Sequence, residues 1–112
     1  TEPGQALLLP PITPYFVMKV GRVPHIAYQR PGAPEAAEAV ATAIADHARA
    51  GHPIRAVMLA RLGPNVWHDT PAAAMATLEE LEETARLWLL APCAPLTEAQ
   101  IDELRRTFNA NW

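Results

Sequence analysis

Serine is absent from the 112-residue sequence, and cysteine occurs once, at Cys93. The first absence excludes a serine nucleophile. The second excludes an intrachain disulfide and makes the reducing cytoplasm the expected location. Aromatic residues are sparse, with two Phe, two Tyr and three Trp, whereas Ala fills 22 positions. Each Ala buries little surface, and short chains hide a smaller fraction of theirs than long ones do, so a core of this composition is expected to lean on a partner subunit. Long apolar runs are also missing, so no segment is expected to span a membrane, and nothing resembles a secretory signal. Positive charge is scarce as well. A net charge of -3 and a pI near 5.7 argue against nucleic acid as the main partner.

What is present suffices for folding: half the residues are hydrophobic and 19% are charged, outside the disordered range. The length fits one domain, residues 1–112. Charge is uneven, with Lys19, Arg22 and Arg30 against Glu2 in the first 34 residues, and seven acids against three arginines in residues 71–112. Seven of the 12 prolines also lie in the first 34 residues, which predicts extended segments and no helix there. Tyr15 to Val20 and Val23 to Tyr28 read as two strands joined at Gly21-Arg22 in a type II' hairpin. Pro24 would keep its strand at an edge or a bulge.

Pro34 opens a predicted helix that stops at Gly51, with Ala37, Val40, Ala41, Ile44 and Ala48 as its buried face. The uniformly apolar run Ala56 to Ala60 reads as a central strand, and Asn65 to Trp67 as a short return strand. A second helix is expected from an Asp69 or Thr70 cap to about Leu90, with Ala74, Leu78, Leu81, Ala85 and Trp88 inward and its paired glutamates solvated. Thr97 and Gln100 form a capping box for a last helix that turns Ile101, Leu104 and Phe108 to one side. The fold class is α/β, with about four strands in a small mixed or antiparallel sheet and three helices.

The chemistry legible from spacing is thin. His25, His47, His52 and His68 show no HxH or HExxH arrangement, so spacing alone gives no metal site. Cys93 has no His beside it in sequence and reads as a packing residue. No GxGxxG or Walker segment occurs. The predicted hairpin does place Tyr15, Lys19, Arg22, Tyr28 and Arg30 in one region, with Tyr15 and Lys19 at the same strand parity. Such a phenol and ammonium suit a carboxylate or phosphate, or proton relay in a carbonyl reaction. The alternative is a Tyr at a packing boundary and a Lys guarding an edge strand.

Four ordered segments, Pro10 to Gly21, Tyr28 to Gly32, Val57 to Ala60 before Gly63-Pro64, and Leu78 to Ala85, together resemble the C-terminal half of the class II aldolase/adducin family, closest to its 3-oxo-tetronate 4-phosphate decarboxylase branch. The resemblance implies a partial α/β/α sandwich, tetrameric relatives, and zinc or another divalent metal stabilising an enediolate. It implies for Tyr15 the family's proton-exchanging tyrosine at a subunit boundary. Charge and location make Lys19 and Arg30 candidates for anion contacts. It also implies a missing first half that would carry the phosphate loop, an acid/base glutamate and an HxH metal pair. Leu62 stands where the family's third metal histidine is expected, and an aliphatic side chain coordinates nothing.

Three readings follow: a half-length relative without catalysis or metal of its own that acts through association, as a homo-oligomer or with an N-terminal half chain; one component of a split aldolase or decarboxylase acting on a sugar-acid phosphate; or an unrelated self-associating binding module.

Overall fold

The computed structural model describes residues 6–112. Local signals set most of its elements. Helix α1, Pro34–Arg49, starts with Pro34 in its first turn and gives way to Gly51, whose φ of 86° is left-handed. Helix α2, Pro71–Leu90, is capped by Thr70, whose Oγ1 accepts the Ala73 N–H at 3.1 Å. Helix α3, Glu98–Phe108, carries the reciprocal capping box. Thr97 Oγ1 accepts from the Gln100 amide at 3.2 Å, and Gln100 Oε1 accepts from the Thr97 amide at 2.9 Å.

Among the described residues the sheet has three strands, β1 (His25–Ile26), β2 (Ala56–Leu59) and β3 (Gly63–Val66), in that spatial order. β2 is central, parallel to β1 and antiparallel to β3. The sheet is therefore mixed.

The predicted hairpin is not formed. Phe16–Val20 is a π-helix, closed by the Gly21 N–H donating to Phe16 O at 2.9 Å. The proline count misled here because Pro14 sits at the start of this helical turn, where its missing N–H costs nothing. Thr13 Oγ1 accepts the Phe16 amide at 3.1 Å and steadies the same turn. Phe16, Val17 and Val20 all turn inward, a spacing that belongs to a helix. β1 instead takes an isolated antiparallel bridge from Leu7 to Pro24 on one side and β2 on the other.

The two faces of the sheet bury different clusters. On one, Ala56 of β2 joins Phe16, Val17, Val20, Val23, Leu81, Ile101, Leu104 and Trp112. Trp112 meets Phe16 edge-on with ring centroids 5.8 Å apart, and its carbonyl accepts from Arg105 Nε and Nη2 at 3.1 and 2.8 Å. On the other face, Val57 packs with Ile26, Ala43 and Ile54 beneath α1.

Three predicted packing faces shift. In α1 the fully buried residues are Ala43 and His47, while Ile44 of the predicted stripe is 40% exposed. In α2 the stripe centres on Thr77, Leu81 and Thr84; Ala85 and Trp88 pack beside it. The two threonines are tolerated inside because each hydroxyl donates to the carbonyl four residues back, at 3.0 and 2.8 Å. In α3, Ile101 and Leu104 are buried as expected, but Phe108 is exposed.

Candidate functional site

The π-helix builds the pair that the sequence singles out. Tyr15 precedes it and Lys19 lies in its last turn, four residues on. That spacing stacks side chains on one helical face, and Lys19 Nζ sits 5.3 Å from the centre of the Tyr15 ring. The two residues are thus together, through helical spacing and not through strand parity. Both are exposed, Tyr15 at 60%. A phenol under an ammonium is held in place while its hydroxyl stays accessible, an arrangement that can meet an anionic ligand and exchange a proton with it. The ring contact also replaces the alternative of Lys19 guarding an edge strand, since no strand forms there.

Arg30 is exposed in the turn before α1, where its carbonyl accepts the Ala33 N–H at 3.0 Å. Among the described residues it does not join the Tyr15–Lys19 pair. Arg22 turns inward instead, with its guanidinium 5.6 Å from the centre of the Trp112 ring. Nothing in the order of residues announced that contact, because Trp112 lies at the far end of the sequence.

Leu62 occupies the tip of the β2–β3 connection. Its N–H donates to Leu59 O at 3.0 Å, Arg61 beside it takes a left-handed φ of 64°, and the Leu62 side chain is 47% exposed. His25 lies exposed on β1 and His47 is buried in α1. His68 Nδ1 accepts the Asp69 amide N–H at 2.8 Å, a local turn contact before α2. A catalytic zinc needs about three converging protein donors. Among the described residues no three His, Cys, Asp or Glu side chains come together, so these residues do not by themselves assemble a three-ligand metal site.

The acidic face of α2 is a solvated surface. Glu83 receives a two-pronged contact from Arg86, with Nε at 2.9 Å and Nη2 at 2.6 Å. That hydrogen bond holds the Glu83 carboxyl below its ordinary range and raises the Arg86 guanidinium. Arg105 is raised similarly, first by its bond to Glu98 at 2.8 Å and also by Asp102 at 3.2 Å. These pairs stabilise helix surfaces and form no cleft with Tyr15. No helix of the described residues is long and apolar enough to cross a membrane.

Comparison with known proteins adds what the geometry leaves open. The family profile described as "Class II Aldolase and Adducin N-terminal domain" matches residues 5–89. A 3-oxo-tetronate 4-phosphate decarboxylase of Cupriavidus necator is 46% identical over 112 residues, covering 94% of this chain and 48% of the relative. The protein of the same name from Escherichia coli is 40% identical over 98 residues, covering 85% and 43%. The crystal structure of YgbL from Escherichia coli superposes with a TM-score of 0.77 at 38% identity, covering 90% of this chain and 47% of that one. The chain spans about half the length of the curated relatives it matches.

Proposed function

This chain belongs to the class II aldolase and adducin family, and from that premise we propose that it forms one half of a sugar-acid phosphate lyase unit. It has no turnover of its own and acts by associating with the other half. The observation that carries this reading is one of extent: nearly the whole chain follows a relative's fold, yet it spans only half of that relative. Residues 1–112 then correspond to the C-terminal half domain of the family. Leu62 brings no metal ligand to the unit. Membership of the family removes the reading of an unrelated binding module.

Metal analysis and a decarboxylase assay on the isolated chain test the proposal. The expected result is neither stoichiometric zinc nor turnover, and the two found together overturn it.

The exposed Tyr15–Lys19 pair favours a second, stronger form, in which the assembled unit is a split enzyme. The relatives' name points to a 3-oxo acid phosphate as substrate class. When such an acid loses CO2, the electron pair of the broken bond passes to the adjacent carbon and onto the 3-oxo oxygen, and that carbon must then take up a proton. Tyr15 is suited to handle that proton, with Lys19 and Arg30 as anion contacts. In the co-expressed unit, Tyr15→Phe should lower turnover about 100-fold or more while leaving assembly intact. An unchanged rate removes Tyr15 from the chemistry.

A further inference from the structure

Most of the cations on this chain are already engaged. Among the described residues Arg49 pairs with Asp46, Arg86 with Glu83, and Arg105 with Glu98 and Asp102, while Lys19 and Arg22 lie against aromatic rings. Arg30 and Arg61 form no ion pair with any described residue, although the sequence holds 12 acids against 9 lysines and arginines. Both are exposed. Either one alone would be an ordinary surface cation.

The sheet brings the two to one edge. β1 and β2 run parallel with Ile26 opposite Leu59, and the Ala60 N–H donates to Ile26 O at 3.0 Å. Beyond that bond both chains leave the sheet at their carboxyl ends, one as Tyr28-Gln29-Arg30 and the other as Arg61. The carboxyl ends of parallel strands are where open α/β sheets gather their ligands. Tyr28, 52% exposed, adds a phenol to this edge. Helix α1 opens there as well, so the positive end of its dipole has the same sign as the arginines. Glu35 in its first turn pairs with neither arginine among the described residues. Arg61 also holds a left-handed φ of 64°, a conformation that Asn or Gly enters at less cost. The turn therefore favours other residues, and only the guanidinium gives this position a reason to be arginine.

We infer that Arg30 and Arg61 form an anion site at the carboxyl end of β1 and β2, and that the group it takes is a phosphate. Each guanidinium presents a planar fork of donors that matches phosphate or carboxylate oxygens. Phosphate is the better match to two such forks, because it carries close to two negative charges and three acceptor oxygens where a carboxylate has one charge and two. The site stands apart from the Tyr15–Lys19 pair, which Arg30 does not join. It also goes beyond the association proposed above and does not depend on it, since both arginines belong to this chain.

Titration of the isotope-labelled chain with inorganic phosphate, at mildly alkaline pH and fixed ionic strength, tests the site by amide resonance shifts. Residues 28–30 and 60–63 should move saturably, and residues 15–19 should not. Arg61→Asn, which suits the left-handed turn, and Arg30→Gln should each weaken phosphate binding by about fivefold or more. Arg106→Gln removes another exposed arginine without an ion pair among the described residues, and should leave the binding constant unchanged. Equal weakening by Arg106→Gln reduces the effect to net charge and overturns the site. So does saturation centred on residues 15–19, or the absence of saturation anywhere. Acetate at the same ionic strength should bind about fivefold more weakly or worse, and equal binding gives the edge to a carboxylate and overturns the choice of phosphate. None of these results bears on the half-unit reading, which the metal and turnover measurements decide separately.

Discussion

The two faces of the three-stranded sheet solve the problem of burial differently. One is closed by three elements, the π-helix, α2 and α3, and its cluster includes Phe16, Leu81, Ile101 and Trp112. The other has α1 alone and a core of Ile26, Ala43, Ile54 and Val57. Large side chains drawn from distant parts of the sequence make the first face self-sufficient. An Ala-rich helix set over β1 and β2, beside a strand that bears Gly63 and Asn65, leaves the second face half covered. The alanine content is therefore not spread evenly in its consequences: it leaves one face with a smaller core than the other.

The comparison breaks most sharply at Phe16. It is fully buried against Trp112, so Phe16→Ala should cost roughly 3–5 kcal/mol, read as a lower urea midpoint. A loss no larger than that of a surface change would mean that the closed face is not the main source of stability. Next comes Arg105→Ala, which leaves the Trp112 carbonyl without its two donors and removes the partner of Glu98 and Asp102. About 1–3 kcal/mol should be lost, and Arg105→Lys should recover only part, since an ammonium lacks the fork. Thr97→Ala removes one arm of the α3 capping box and should cost about 1 kcal/mol, visible as faster amide exchange in the first turn of α3.

On the open face the effects should be small in the isolated chain. Ile44→Ala should change stability by less than about 0.5 kcal/mol, and a larger loss would mean that Ile44 is already packed in this chain alone. The smallest effect belongs to Glu83. Its carboxyl is held low by Arg86, so the pair's contribution is present above the ordinary carboxylate range and is lost as pH falls through the lowered value. The difference in urea midpoint between wild type and Glu83→Gln should therefore narrow toward acid. A difference independent of pH would dissociate that carboxylate from the pair.

Several features of this fold were legible residue by residue. Thr70 before Pro71, Thr97 three residues before Gln100, and Gly51 after α1 each act within a few bonds of where they stand. The candidate pair was legible in membership but not in geometry. Tyr15 and Lys19 satisfy strand parity and helical spacing equally well, and the choice between them depends on where Phe16, Val17 and Val20 find a core. Arg22 against Trp112 and the meeting of Arg30 with Arg61 at one sheet edge were not legible at all, because each joins elements far apart in sequence.

The amino-acid sequence by itself determined where the three α-helices begin, where the first two end and which family the chain resembles, since caps, prolines and ordered motifs are local facts. Only the tertiary structure decided which side of α1 faces inward and that residues 16–20 coil instead of extending. Alanines lie on several sides of α1, and the packing of Ala43 against Ile26, Ile54 and Val57 selects the side that turns inward. Pro14 through Val20 carries two compatible periodicities, and the pocket formed by Leu81, Leu104 and Trp112 accepts the helical one. Packing against distant residues supplies the energy that separates such alternatives, and that energy is not written in any one stretch of chain.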